Sequence, residues 1–462
     1  MDFDILIIGS GPGGYVAAIR ASHLGLKVGV IEKDELGGIC LNWGCIPAKS
    51  LIKSARVYEN FNIASDFGIN IEGKISPDFI KIIERSRTVA NTMSQGVSYL
   101  MKKNNIEVIQ GRGKLLSNSE VVVTNNNKTK VYSAKNIILA TGARTKEKKG
   151  IEIDGKKLIG YKEALSLKKR PESMIIIGSG AIGTELAYFY QTIGTQVTLT
   201  EYKSRIAPLE DEEISRHLGR GFKKRGVKIL TNTTVTSVDT KGNMCKAYID
   251  TKKGEEILEA ELVLTAIGIS PNIENLGIEE LGIKTEKQHI VVDNYYKTNI
   301  EGIYAIGDII EGPALAHVAS TEGIICVDKI AGLKPDPLNY NNIPSCTYST
   351  PEVASIGLTE KEAIDAGYSI KVGKFMFIAS GKANATGSTE GMVKLIFNEK
   401  DGKLIGAHMV GENVTEMIAE IAIVKQNGIT AKEIINSIHP HPSMSEAVLE
   451  AAAAAYDEAI HL

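Results

Sequence analysis

Two segments of the 462-residue chain repeat one another, and that repeat limits the fold more than any other feature. Residues 3–14 read Phe3-Asp4-Ile5-Leu6-Ile7-Ile8-Gly9-Ser10-Gly11-Pro12-Gly13-Gly14. Residues 174–183 echo them as Met174-Ile175-Ile176-Ile177-Gly178-Ser179-Gly180-Ala181-Ile182-Gly183. Each copy reads as a strand and a glycine turn, continued by a helical stretch and a second strand that ends on an acid, Glu32 or Glu201. From first glycine to terminal acid, Gly9 to Glu32 and Gly178 to Glu201, the spacing is 23 residues in both, near the roughly 20 of a dinucleotide-binding βαβ unit. Gly9, Gly11 and Gly14, like Gly178, Gly180 and Gly183, permit a tight turn, let backbone approach a pyrophosphate and let helix pack on strand. The helix amino terminus adds N–H donors and a partial positive charge. Glu32 and Glu201 are expected to bind ribose hydroxyls, and a carboxylate at Glu201 repels a 2′-phosphate, which favours NAD over NADP. Lys203 and Arg205 close by read as solvated surface charges.

The rest of the chain is expected to build several domains, because 462 residues exceed what one hydrophobic core supports. Other glycines end apolar strands at Thr141-Gly142, Ile267-Gly268 and Gly307-Asp308. Residues 120–131 look like a small hairpin inserted into the first domain. Beyond Pro335-Asp336-Pro337 the pattern changes to antiparallel-looking strands at 371–377, 392–397 and 404–410, followed by helices. Thr359 with Glu362 has the form of a capping box. A net charge of −2 without long runs of one sign gives no footprint for nucleic acid. The start Met1-Asp2-Phe3-Asp4 lacks a signal-peptide pattern, and no apolar run approaches the roughly 20 residues that span a bilayer, so no membrane association and a cytoplasmic location are expected.

Two dinucleotide sites imply two nicotinamides, or a flavin plus a nicotinamide. The segment after Glu32 bears on that choice: Leu36-Gly37-Gly38-Ile39-Cys40-Leu41-Asn42-Trp43-Gly44-Cys45-Ile46-Pro47-Ala48-Lys49. In a regular helix, residues five apart have Cα atoms about 8–9 Å apart, whereas a disulfide needs less than about 7 Å. Pairing of Cys40 with Cys45 therefore requires a broken helix; Gly44 supplies the freedom and Pro47 can start a helix just afterwards. The alternatives are two inert thiols or a metal site, and the latter lacks neighbouring ligands. Cys245, Cys326 and Cys346 are scattered and are expected to be ordinary thiols.

The chain resembles the pyridine nucleotide-disulfide oxidoreductase family, whose redox segment has the form GGTCxNxGCxPxK, with Ile39 here in place of the usual Thr. The resemblance runs through the FAD fingerprint, redox cysteines, Ala140-Thr141-Gly142, NAD fingerprint, Gly307-Asp308 and a carboxy-terminal His-Pro. It implies an α/β fold with two Rossmann-like dinucleotide-binding domains plus a carboxy-terminal α+β dimerisation domain. The expected boundaries are 1–146 for FAD, 147–271 for NAD, 272–342 for a central domain completing the FAD site and 343–462 for the interface. It further implies FAD and NAD as cofactors, Cys40 and Cys45 as the redox pair, and Lys49 near the flavin N5, paired with Glu185. Asp308 is implied near the ribitol, Ala314, Leu315, Ala316 and His317 along the flavin edge, and Gly113, Thr141 and Gly142 as further FAD contacts; Gly268 belongs to the cofactor edge. No metal is implied.

The carboxy terminus bears on the substrate. His439-Pro440-His441-Pro442-Ser443-Met444-Ser445-Glu446 resembles the His-x-His-Pro-x-x-x-x-Glu segment of the branch of the family that oxidises dihydrolipoamide. A carboxylate on one ring nitrogen fixes a histidine's tautomer, and His441 and Glu446 fit those roles, with His439 structural. Residues 380–387 also look like that branch. The resemblance then implies a homodimer, in which the histidine serves the other subunit's disulfide. It also implies a lipoyl domain on another protein, in a 2-oxo acid dehydrogenase complex or the glycine cleavage system. Within the fold the rivals are glutathione- and mercuric-reductase-like enzymes and a soluble transhydrogenase; outside it, a non-catalytic nucleotide-binding subunit. Glu201, the absence of cysteine from residues 447–462, and the Cys40, Cys45, His441 and Glu446 set argue against them.

Overall fold

The computed structural model describes residues 1–461; Leu462, the last residue of the expected interface domain, lies outside the described residues. The chain divides into two compact units. One comprises Met1–Ser50, Ile80–Lys146 and Gly268–Leu338; the other comprises Leu51–Phe79, Glu147–Ile267 and the chain from Asn339 onward.

In the first unit five strands pair in parallel in the order Glu107–Gln110, Val28–Glu32, Phe3–Ile8, Lys128–Leu139 and Ile303–Ala305. The central strand carries Ile5, Leu6 and Ile7 fully buried, as a strand covered on both faces must. Helix Pro12–His23 follows the glycine turn with proline in its first turn, where a missing N–H costs no hydrogen bond. It packs closely on helix Ala316–Ile330: a Cβ at Gly323 would lie 2.7 Å from the Gly13 carbonyl oxygen. The hairpin expected at 120–131 is present but is not a separate insert. Strand Lys128–Leu139 pairs antiparallel with Glu120–Asn125 along its first half, then continues into the core beside Phe3–Ile8.

The second unit repeats the parallel arrangement, in the order Lys228–Leu230, Gln196–Thr200, Ser173–Ile177, Leu262–Thr265 and Leu158–Ile159. Three antiparallel strands, Thr234–Asp239, Cys245–Thr251 and Gly254–Ala260, accompany it. The carboxy-terminal part is a five-stranded antiparallel sheet in the order Ser345–Thr347, Glu352–Gly357, Leu404–Gly411, Met392–Asn398 and Ile370–Met376. Helices Val414–Gln426 and Glu446–Ala454 share its core through Ile418, Ile421, Val448 and Ala451. Thr359 and Glu362 form the expected capping box. Cys245 and Cys326 are buried, and burial raises both thiols above their ordinary range. Among the described residues no helix is long and apolar enough to cross a membrane.

One charge stands in the apolar strand Met392–Asn398. Lys394, 1% exposed, bonds Asp211 at 3.0 Å, Glu213 at 2.9 Å and Glu360 at 2.6 Å. Asp211 also caps helix Glu212–Lys224 by accepting from the Glu213 N–H. Burial alone would raise the Asp211 carboxyl, but the Lys394 ammonium and the cap hold it below its ordinary 3.8. Removing one partner strands a buried charge, so Lys394→Met is expected to lose about 3–5 kcal/mol in denaturant unfolding at pH 7. A carboxyl depressed in the folded state stabilises it above the unfolded pKa and ceases to do so as pH falls through the lower folded value. The gap between wild type and Lys394→Met should therefore narrow below pH 3.8.

Candidate functional site: two nucleotide turns, a cysteine turn and a histidine–carboxylate pair

Both glycine turns are built in the same way. Gly9 has φ of 106°, and a Cβ there would sit 2.2 Å from the Ala140 carbonyl oxygen; a Cβ on Gly14 would sit 1.9 Å from the Gly9 oxygen. In the second unit Gly178 has φ of 97°, with its Cβ 2.5 Å from the Ala266 oxygen, and Gly183 would meet the Gly178 oxygen at 2.0 Å. Gly11 and Gly180 have nothing within 4 Å of a Cβ, so each helix amino terminus opens onto free space. The two terminal acids are buried and held alike. Glu32 Oε2 accepts from the Ser10 N–H at 2.9 Å and hydroxyl at 2.6 Å, and its Oε1 accepts from the Lys33 and Asp34 N–H groups. Glu201 Oε2 accepts from the Ser179 N–H at 3.1 Å and hydroxyl at 2.6 Å, and its Oε1 accepts from the Lys203 N–H. Sequence reasoning missed Ser10 and Ser179, although both repeats carry the signal Gly-Ser-Gly. Lys203 is exposed as expected, but Arg205 is half-buried and donates to the Pro208 carbonyl, so it is not a freely solvated charge.

Around the first turn, Thr141 donates its hydroxyl to the Asn272 carbonyl at 2.6 Å, and the Asn272 N–H donates to the Gly142 carbonyl. Gly113 lies against Ile8, and Gly268 has φ of 119°. Asp308 sits in a short helical turn, Gly307–Ile309, where burial raises its carboxyl. Leu315 is the N-cap of helix Ala316–Ile330, so residues 314–317 lie at that helix's amino terminus. Lys49 falls in the first unit and Glu185 in the second, where Glu185 is buried and accepts the Tyr348 N–H at 3.1 Å.

The cysteine segment breaks where the sequence requires. Helix Gly38–Trp43 ends at Gly44, whose φ of −145° and ψ of −112° interrupt the spiral, and helix Cys45–Asn62 begins on the next residue. Pro47 thus lies in the first turn of that helix. Cys40 and Cys45 are thiols within hydrogen-bond reach of one another. That bond, burial and the neighbouring sulfur push the Cys40 thiol far above its ordinary range, and Lys49 acts against them. The Asn42 amide holds the turn from inside by donating to the Leu36 and Gly38 carbonyls. In the second unit His441 Nδ1 lies 2.8 Å from Glu446 Oε1, and the Ser443 N–H donates to Glu446 Oε2 at 2.8 Å. Burial opposes ionisation of Glu446, but the Ser443 bond and His441 outweigh it and lower its pKa. The His439 ring is mostly buried, with Nε2 2.8 Å from Glu420 Oε1 and Nδ1 3.0 Å from the Ser437 carbonyl oxygen.

The family description "Pyridine nucleotide-disulphide oxidoreductase" matches residues 3–323, and its dimerisation domain matches residues 343–452. The chain belongs to this family of oxidoreductases. It is 46% identical to a protein of Rhizobium etli and 45% identical to one of Zymomonas mobilis, both named dihydrolipoyl dehydrogenase, each match covering 99% of both chains. Among solved structures it resembles LpdA from Mycobacterium tuberculosis, with a TM-score of 0.91 and 27% identity over 97% of this chain and 98% of that one. It also resembles the HOCl-induced flavoprotein disulfide reductase RclA from Escherichia coli, with a TM-score of 0.88 and 26% identity over 98% and 99%. The family uses FAD and NAD. Two glycine turns that open onto free space beside a buried, pre-oriented glutamate fit two dinucleotides.

With Glu446 ionised and accepting from the ring, His441 carries its proton on Nδ1 and leaves Nε2 as an acceptor. Glu446→Gln should abolish that tautomer preference. Ring ¹⁵N spectra at neutral pH, with His441→Asn to assign the signals, would show a single Nδ1–H form in wild type and a mixture in the variant; identical spectra would count against the pairing.

Proposed function

We propose that this chain oxidises protein-bound dihydrolipoamide to lipoamide and reduces NAD to NADH. The observation that carries the reading is the cysteine turn: two thiols in contact across a glycine break, one of them starting a helix. FAD belongs on the first unit, at Gly9, Gly11, Gly14, Glu32, Gly113, Thr141, Gly142, Asp308 and residues 314–317, with Lys49 toward its reactive edge. NAD belongs at Gly178, Gly180, Gly183 and Glu201, and Glu185 and Gly268 belong to the cofactor sites. When bound, FAD accepts two electrons from the reduced cysteine pair and delivers them as hydride to NAD.

The protein's own residues handle sulfur and protons. His441 Nε2 takes a proton from one substrate thiol while Glu446 steadies the Nδ1–H and the resulting cation. The substrate thiolate attacks Cys40 Sγ; the Cys40–Cys45 bond breaks and Cys45 leaves as a thiolate. Its place at the amino terminus of helix Cys45–Asn62 favours that charge. The second substrate thiol then attacks the substrate's first sulfur, now bonded to Cys40 Sγ; that S–S bond breaks, lipoamide closes, and the thiol proton passes to the departing Cys40. A Cys40 whose thiol form is strongly favoured retains that proton, so the pair ends as one thiol and one thiolate.

The match to the dimerisation domain supports a homodimer, in which His441 serves the cysteine pair of the second copy. The substrate arm belongs to the lipoyl domain of another protein, in a 2-oxo acid dehydrogenase complex or the glycine cleavage system. A cytoplasmic location accords with three further cysteines kept as thiols.

Anaerobic addition of dihydrolipoamide to the holoenzyme, then NAD, is expected to yield NADH at 340 nm from wild type and none from Cys45→Ser. Turnover of glutathione disulfide with NADPH in its place would sink the substrate assignment. Glu201→Gln removes the charge from a hydrogen-bonded acceptor, a loss of about 1.5–3 kcal/mol, so kcat/KM for NAD should fall roughly 10- to 100-fold while that for NADP does not fall. Parallel losses for both nucleotides would show that Glu201 does not discriminate between them.

A further inference from the structure

Three consecutive residues of helix Phe79–Lys103 grip the cysteine turn on both sides of its break. Before the break, Arg87 donates to the Asn42 carbonyl, and its guanidinium carbon lies 3.8 Å from the centre of the Trp43 ring. After the break, the fully buried Ser86 donates its hydroxyl to the Pro47 carbonyl at 3.1 Å. Arg85 donates to the Ser50 hydroxyl at 2.7 Å and the Ser50 carbonyl at 3.3 Å. The residues gripped, Asn42, Trp43, Pro47 and Ser50, bracket Gly44 and Cys45.

A regular helix would hold two cysteines five apart beyond disulfide reach. The bond therefore depends on the break at Gly44 being maintained, and glycine by itself gives freedom without direction. Helix Gly38–Trp43 is only six residues long and ends on carbonyls with no helical partner. Arg87 satisfies one of them with a charged donor and packs its guanidinium plane on the adjacent indole, a pairing a lysine cannot reproduce.

We propose that Arg85, Ser86 and Arg87 are positioning residues that set the reduction potential of the Cys40/Cys45 pair, with Arg87 the dominant one. The inference rests on the redox role proposed for the pair. Holding the break keeps the reduced thiols close, which raises their effective concentration and favours the disulfide. Without the clamp the dithiol explores more conformations, the disulfide becomes easier to reduce, and the potential rises.

The test equilibrates the holoenzyme anaerobically with graded dihydrolipoamide/lipoamide mixtures and, separately, with reduced and oxidised dithiothreitol. Thiols are then trapped by alkylation and Cys40 and Cys45 are read by peptide mass. For Arg87→Met the equilibrium should shift about tenfold toward the dithiol, equivalent to about 30 mV. Arg87→Lys and Trp43→Leu should shift it less, and Arg87→Met with Trp43→Leu no further than Arg87→Met alone. Thermal unfolding of each variant separates loss of fold from change of potential, and Trp43→Leu keeps the test open should Arg87→Met misfold. Coincident wild-type and variant titrations would overturn the clamp. A pair that responds to dithiothreitol but not to lipoamide would sink the substrate assignment while the dithiothreitol series still decides on the clamp; a wild-type pair that responds to neither would overturn both.

Discussion

Between Gly9 and the Ala140 carbonyl there is no room for even a methyl group, and the same is true of Gly178 and Ala266. This exclusion organises both parallel sheets. Strand Phe3–Ile8 lies between Val28–Glu32 and Lys128–Leu139, so the chain leaving its carboxy end must pass against the end of its neighbour. Only a residue without Cβ can turn there, and only a second glycine five residues later, Gly14 or Gly183, clears the carbonyl oxygen of the first. The outcome is a helix that starts directly beside the turn, with open space next to the glycine that precedes it, Gly11 or Gly180. The Ser–Glu pair then fixes the acid: with one oxygen tied to the turn and the other to following N–H groups, the buried carboxyl group is oriented by the protein's own donors.

The sulfur chemistry depends on a different exclusion, that of a continuous helix. Interrupting the spiral at Gly44 does two things together. It brings Cys40 within hydrogen-bond reach of Cys45, and it makes Cys45 the first residue of a new helix. The two sulfurs thereby occupy different settings: Cys40 lies half-buried within a short helix, its thiol pushed above its ordinary range by the Cys45 bond and by burial, whereas Cys45 opens a new helix.

What could be read from the sequence follows the same division. Residues whose meaning is set by their neighbours in the chain were legible: the six turn glycines, the two terminal acids, Gly44 between its cysteines, and the Thr359/Glu362 cap. Residues whose meaning depends on a distant partner were not. Arg85, Ser86 and Arg87 look like ordinary polar positions on an amphipathic helix, and their partners lie some forty residues earlier in the chain. Lys394 did carry a signal, a lone charge within Met392-Val393-Lys394-Leu395-Ile396-Phe397, but nothing local identifies Asp211, Glu213 and Glu360 as its partners. The hairpin at 120–131 showed its alternation, yet its continuation into the core was hidden, because alternation gives way to a buried apolar run within one strand, Lys128–Leu139.

The two βαβ units also show where function diverges from fold. Their turns, serines and glutamates are close copies, so nucleotide binding by itself does not distinguish them. The difference lies downstream of each acid. After Glu32 the N–H groups of Lys33 and Asp34 both close on the carboxylate, and the chain proceeds to Gly37, whose N–H returns to the Ser10 carbonyl and hydroxyl. That tether carries the cysteine segment back to the edge of the first glycine turn: a Cβ on Gly38 would lie 2.7 Å from the Gly11 Cα. After Glu201 the same return occurs, with the Ala207 N–H donating to the Ser179 carbonyl and hydroxyl, but the chain then proceeds to Asp211, which opens helix Glu212–Lys224. One backbone solution thus serves twice, and what differs is the segment each return delivers: the two cysteines after the first, the capped helix Glu212–Lys224 after the second.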